Sequence, residues 1–185
     1  KVIFPPLWEV WSLYHRLRQL AVPLAQLDDD IYESRRILPI NKRIDRIRNE
    51  WPADKWMQIQ WPKLIEVLKK LYNHLLEYQE PPKFWALADR ITRWLDTNSS
   101  GDLRVVLPTE REGAIFSILL GQLENGWIEA QRSGKVELVS LREEARRVAS
   151  GELRPTVLLG FRAGAQRNLD VYPRYPVEII GYPFE

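Results

Sequence analysis

Three predicted strand ends each carry an arginine and a hydrogen-bonding side chain, and these residues have types and spacing suited to binding an anion. They are Thr109 and Arg111 after the first strand, Ser140 and Arg142 after the second, and Arg162, Gln166 and Arg167 after the third. A guanidinium group can donate two parallel hydrogen bonds to the oxygens of one phosphate, and helix N-termini attract anions. The pattern predicts a phosphate-binding edge. The alternative is that the arginines are merely solvated and that the two hydroxyl residues only cap helices.

Four short apolar segments are the predicted strands that would position these residues. They cover residues 103–107, 135–139, 155–160 and 177–182. Thr109 with Glu112, and Ser140 with Glu143, have the spacing of a helix capping box. Because predicted helices alternate with the strands, the pattern favours a mostly parallel four-stranded sheet flanked by helices, an α/β fold. The carboxyl ends of parallel strands, where ligands bind, would then share one edge.

The first hundred residues are predicted to be helical. Apolar residues recur at helical spacing near 7–21, 24–38, 40–51, 62–78 and 84–95, with Pro62 placed in the first turn of its helix. The polar segment 96–102 is a predicted linker. We therefore predict a tryptophan-rich helical subdomain over residues 1–100 and an α/β subdomain over residues 101–185.

Composition excludes several kinds of site. The 185 residues contain no cysteine, which excludes disulfides, thiolate metal sites and a cysteine nucleophile. The net charge of +2 is too small to indicate nucleic acid by itself. No apolar stretch is long enough to span a bilayer. These features predict a cytoplasmic protein without a membrane partner.

No catalytic motif is present. The sequence lacks the GxxxxGK[ST] and GxGxxG phosphate motifs, and its only histidines, His15 and His74, lie in the helical half. We predict no catalytic residue, no cofactor and no metal site; whether the chain is an enzyme stays open, and activity of the isolated chain is not expected. The triplet of aspartates at 28–30 is interpreted as a solvated helix face rather than a metal cluster.

Tryptophan is abundant, with eight residues in the chain. Tryptophans at helical spacing are predicted to be core residues. Trp51, Trp56 and Trp61 recur every five residues and fall off the helical stripe. With the nearby basic residues Lys42, Arg43, Arg46 and Arg48, they could instead form a stacking platform for single-stranded nucleic acid.

The order of elements in the second half resembles the second RecA-like lobe of the nucleic-acid helicases of superfamilies 1 and 2. Residues 103–111 resemble the strand and hydroxyl residue that open that lobe, and 156–170, with Gly160, Gly164 and Leu169-Asp170, resemble a later turn. The resemblance implies a RecA-like or Rossmann-like sheet and contact with a nucleic-acid backbone. The chain lacks counterparts of the arginine-finger segment and of the first, ATP-binding lobe. The resemblance therefore implies a fragment or degenerate relative of a larger motor protein, without ATPase activity of its own.

We therefore predict a nucleic-acid-binding module that contacts DNA or RNA phosphates and works beside a missing ATPase lobe. One alternative is a protein-interaction module that uses exposed aromatic residues, including the segment 172–176. Another is an enzyme that acts on a phosphorylated small molecule at the sheet edge, for which no general acid or base can be named.

Overall fold

The computed structural model of the chain describes residues 4–28, 38–97, 102–124, 126–152, 156–159 and 177–180. The helices are α1 (Pro5–Arg18), α2 (Leu24–Leu27), α3 (Ile40–Arg48), α4 (Lys55–Leu76), α5 (Pro82–Asp96), α6 (Glu110–Leu123), α7 (Trp127–Arg132) and α8 (Leu141–Ala149). The strands are β1 (Leu103–Leu107), β2 (Val136–Ser140), β3 (Thr156–Leu159) and β4 (Val177–Ile179). The segment containing Arg162, Gln166 and Arg167 lies outside the described residues.

The predicted fold class, an α/β unit of RecA-like or Rossmann-like type with a four-stranded sheet flanked by helices, is wrong for this chain. Its described part is predominantly helical, with eight helices and strands of only three to five residues. The β1–β2 pair alone forms a five-residue ladder, while β3 and β4 add ladders of four and three residue pairs. Within the described residues, the segments predicted as the third and fourth strands are paired at 156–159 and 177–179. The sheet is therefore too small to set the class of the fold.

The strands run parallel in the order β2-β1-β3-β4. Helices α6 and α7 connect β1 to its neighbour β2, and the next connection, which contains α8, passes β1 to reach β3. Every residue of β1 is buried. Its continuous apolar run is explained by helices α6 and α8, which both pack against it.

A continuous apolar core joins the helical half to the sheet. It includes Leu13 and Leu17 of α1, Phe84 of α5 and Phe116 of α6. The rings of Phe84 and Phe116 meet edge to face, with centroids 5.2 Å apart. The helical layer thus packs on α6, and the division into two subdomains between residues 100 and 101 stays a prediction.

Helix α4 begins earlier than its proline suggested. The sequence placed Pro62 in a first turn, but the helix starts at Lys55 and Pro62 lies inside it. The side chain of Asp54 caps the helix by accepting a hydrogen bond of 2.9 Å from the backbone N–H of Met57. The aspartate, rather than the proline, therefore marks the helix start. None of the described helices is both long and apolar enough to cross a membrane.

Candidate nucleic-acid interface

The carboxyl ends of β1 and β2 lie side by side, because Leu107 pairs in register with Ser140. Thr109 is the N-cap of α6 and accepts a hydrogen bond of 3.3 Å from the backbone N–H of Glu112. Ser140 caps α8 in the same way through the N–H of Glu143, also at 3.3 Å. Both predicted capping positions are confirmed, and both hydroxyls have a structural role at this edge.

An arginine from the helical half completes the first of these turns. Arg16 of α1 donates to the Glu112 carboxylate at 2.5 Å and to the Thr109 hydroxyl at 3.4 Å. The Glu112 side chain is fully buried. No short-range sequence pattern indicated this contact, since Arg16 and Glu112 are far apart in the chain and Glu112 was interpreted only as part of a capping box.

The structure describes four of the seven predicted site residues. Thr109 and Ser140 lie at the adjacent strand ends, and Arg111 donates to the carbonyl oxygen of Gln26 at 3.0 Å. Arg142 is exposed in the first turn of α8. The remaining three, Arg162, Gln166 and Arg167, fall outside the described residues. The edge therefore brings together two helix N-termini, with one arginine bonded to the helical half and another facing solvent.

The α8 side of the sheet carries an ionic network that the sequence did not reveal. Arg104 of β1 is almost fully buried and donates to Glu137 at 3.2 Å, Glu144 at 3.3 Å and Glu152 at 2.8 Å. The Glu144 side chain has no solvent exposure. Arg147 joins the network through two bonds of 2.8 Å to Glu137. This network takes up Glu137 of β2 and the carboxylates of Glu144 and Glu152 that follow it in the chain.

The pKa directions within this network follow from the same bonds. Hydrogen bonds from Arg146, and then from Arg147, lower the pKa of Glu143 to about 2. A hydrogen bond from Arg147 is the largest influence on Glu137, and its pKa is lowered as well. The pKa of Arg147 is raised by its bonds to Glu137 and Glu143. These groups are stable ion pairs rather than acids or bases poised for catalysis near neutral pH.

A second candidate surface lies on α3, α4 and the turn that joins them, and we call it the α3–α4 surface. Over residues 40–70 the chain has twice as many basic as acidic side chains. The basic ones are Lys42, Arg43, Arg46, Arg48, Lys55, Lys63, Lys69 and Lys70, and the acidic ones are Asp45, Glu50, Asp54 and Glu66. The net charge of this segment is therefore positive, although that of the whole chain is nearly balanced.

Several of these cations hold the helices together. Arg43 and Arg46 both donate to Glu9 of α1, at 3.2 and 2.6 Å. Lys69 of α4 donates to Asp45 of α3 at 2.8 Å. This bond is the largest cause of the lowered pKa of Asp45, to which the charge of Arg48 also contributes.

Other lysines of α4 point away from these pairs. Lys55 and Lys63 are exposed, and neither forms an ion pair within the described part of the chain. Lys70 bonds Glu66 at 2.8 Å on the same outer face. Ile59 and Val67 are exposed between these charges. The outer face of α4 therefore alternates cations with apolar side chains.

The prediction that most tryptophans are core residues is wrong. Trp61, Trp94 and Trp127 are buried, whereas Trp8, Trp11, Trp51, Trp56 and Trp85 are exposed. Of the three off-stripe tryptophans, Trp51 is 64% and Trp56 is 66% exposed, while Trp61 is 1% exposed and packs edge to face on Phe4. Helical spacing did not distinguish a face directed at the core from one directed at solvent.

The residues considered for metal binding have structural contacts. Asp28 is buried and caps α3 from a distance, accepting hydrogen bonds from the backbone N–H groups of Ile40 and Asn41 and from the Tyr72 hydroxyl. The ring of His15 meets that of Trp11 edge to face, with centroids 4.4 Å apart, and His74 contacts Tyr78. Within the described ranges no group of three or more potential ligands could hold a metal ion.

No protein-family model, curated protein or solved structure matches the chain. The function is therefore inferred from the residues of the chain and their contacts.

Proposed function

We propose that the chain is a nucleic-acid-binding module whose α3–α4 surface contacts the phosphate backbone. The observation that carries the proposal is the pairing of Trp51 and Trp56, each about two-thirds exposed, with the exposed cations Lys55 and Lys63. Exposed aromatic rings beside cations that follow a backbone are the two elements of a surface that binds nucleic acid. The sequence has no phosphate-loop motif, and Glu137 and Glu143 are held in ion pairs with arginines. Both features support a binding role rather than catalysis.

The edge formed by β1 and β2 is a second, smaller contact in this proposal. Arg142 is exposed there, beside the N-terminus of α8, and could donate to a phosphate. Thr109 and Ser140 would add little, because their hydroxyls already cap helices. The helicase resemblance contributes one point to the proposal. The module would bind nucleic acid without catalysis of its own, next to an ATPase lobe on another part of the protein or on a partner.

The test is a fluorescence-anisotropy titration of a labelled oligonucleotide at about 50 and 200 mM salt, concentrations between which phosphate contacts lose much of their affinity. We expect log affinity to fall linearly with log salt. Lys55→Ala and Lys63→Ala should each reduce the slope by roughly 0.7 to 0.9, since each removes one released counterion. Arg142→Ala measures the contribution of the sheet edge.

Arg132→Ala is the matched control, because Arg132 is exposed on α7, a helix that contributes no residue to either surface. Its slope should equal that of the unmodified chain. A chain that shows no interaction with DNA or RNA at low salt, or an affinity that does not change with salt, would contradict the proposal.

A protein-interaction surface is the second candidate function, and the exposed stripe on α1 favours it. Leu7, Trp8, Trp11 and Tyr14 are exposed on this helix, with the Arg18 guanidinium 5.2 Å from the Tyr14 ring centroid. Tryptophan, tyrosine and arginine are enriched at the energetic centres of protein interfaces. A purified partner should lose affinity for the Trp8→Ala/Trp11→Ala variant and keep it for Trp51→Ala/Trp56→Ala; equal affinity for both variants would remove this candidate.

A further inference from the structure

We infer that the α3–α4 surface selects single-stranded over double-stranded nucleic acid, because Trp51 and Trp56 stack on unpaired bases. This inference depends on the proposed function and adds the conformation of the ligand. It comes from two features of this surface: the exposure of two indole rings and the cations placed between and beside them.

Both tryptophans are exposed, and both lie in or next to the turn that joins α3 to α4. Trp51 lies in the turn between Asn49, the C-cap of α3, and Asp54, the N-cap of α4. Trp56 follows in the first turn of α4. The backbone N–H of Met57 donates to the Asp54 side chain, and the Gln58 side chain donates to the Pro52 carbonyl, both at 2.9 Å. These two bonds fix the turn that carries the tryptophans. The rings are thus displayed by a well-bonded segment.

A tryptophan in this region can be buried, as Trp61, the next tryptophan in the chain, shows. Trp61 is 1% exposed against Phe4, whereas Trp51 and Trp56 leave about two-thirds of their surface in water. A large apolar ring in water gains free energy when another flat apolar surface covers it. A nucleobase has a flat π face of this kind, and stacking on an aromatic side chain tolerates any base.

The charges around the rings fit a backbone that follows the bases. Lys55 lies between the two tryptophans in the sequence, and Lys63 lies further along the outer face of α4. Arg48 lies at the α3 side of the same turn. In a duplex the base faces are covered by neighbouring bases, so a duplex can use the cations but cannot use the rings. Single strands can use both, and this difference is the source of the expected selectivity.

The experiment compares a labelled oligonucleotide with the duplex formed by that oligonucleotide and its complement, at one low salt concentration. We expect the single strand to bind more tightly. Trp51→Ala and Trp56→Ala should each weaken single-strand binding about tenfold, within the range known for loss of one base stack, and change duplex binding little. Lys63→Ala should weaken the binding of both ligands.

Two variants serve as controls. Trp85→Ala removes an exposed tryptophan of α5 and should leave both affinities unchanged. Trp51→Phe keeps a ring and should retain most of the single-strand preference. Because both target residues are exposed, thermal unfolding of each variant should match that of the unmodified chain, which separates lost stacking from lost folding.

The possible failures are distinguishable. Equal affinity for single strand and duplex, with a normal salt dependence, would overturn the inference and leave nucleic-acid binding in place. A single-strand preference that survives Trp51→Ala/Trp56→Ala would also overturn it. No binding of either ligand would overturn the proposed function as well.

Discussion

Replacing Arg104 by methionine should destabilise the chain more than any surface substitution. The Arg104 side chain is 6% exposed and holds three carboxylates, one of which, Glu144, has no exposure. Removing the guanidinium leaves the Glu144 carboxylate buried beside two other acids. Breaking a buried ion pair from one side costs about 3–5 kcal/mol. This is a large part of the roughly 5–15 kcal/mol by which a typical domain is stable.

Urea unfolding followed by circular dichroism measures this loss. Arg146→Ala is the control, because Arg146 is 77% exposed and bonds Glu143 on the surface, where a pair contributes about 0.2–1 kcal/mol. The double variant Arg104→Met/Glu144→Leu removes both buried charges and should recover much of the lost free energy of unfolding. If Arg104→Met costs no more than Arg146→Ala, or if the double variant is less stable than the single one, the reasoning about the buried charge is refuted.

Three further predictions concern the sheet edge and its acids. Arg16→Ala should lower the free energy of unfolding by about 3 kcal/mol in urea, since it leaves the buried Glu112 unpaired; a loss under 1 kcal/mol would contradict this. Thr109→Ala should cost about 1 kcal/mol through the lost cap, and unchanged stability would argue against the cap. Because hydrogen-bonded arginines lower the pKa of Glu143 from 4.5 to about 2, its contribution to stability is present above pH 4.5 and is lost as the pH falls towards 2. Glu143→Gln should therefore flatten the acid limb of a stability–pH curve, and an unchanged limb would disprove it.

Local sequence signals predicted local structure well. The continuous apolar run of β1 and the spacing of Thr109 with Glu112 and of Ser140 with Glu143 are short-range patterns, and the structure confirms the strand and both caps. The α5 helix also begins and ends within two residues of its predicted limits. These features depend on backbone hydrogen bonds between near neighbours in the chain, and neighbouring residues are sufficient to specify them.

Long-range contacts and the direction of helical faces were not predictable in the same way. Trp11 falls within the helix predicted over 7–21 but faces solvent, whereas Leu13 of the same helix is buried. The position of Arg104 within a buried strand gave no indication of three acidic partners. The sheet was given too much weight in the predicted fold class, because an apolar segment of strand-like composition does not specify how large a part of the fold its strand forms. These properties depend on what packs against each element, which only the tertiary structure shows.

Arginines and lysines differ in how readily they form internal pairs. This difference explains why the α3–α4 surface is a better candidate for phosphate binding than the sheet edge predicted from the sequence. A guanidinium matches a carboxylate with two parallel N–H donors, so arginines in a chain with nearly equal numbers of acids are readily used in internal pairs. Arg104 is used in this way, and Arg111, one of the arginines counted at the strand ends, donates to the carbonyl oxygen of Gln26. Lys55 and Lys63 instead stay in solvent on α4, beside two exposed indole rings. A count of arginines near strand ends therefore overstates the charge available to a phosphate. On the α3–α4 surface Lys55 and Lys63 are exposed and form no ion pair within the described residues, whereas at the described sheet edge the exposed arginine is Arg142.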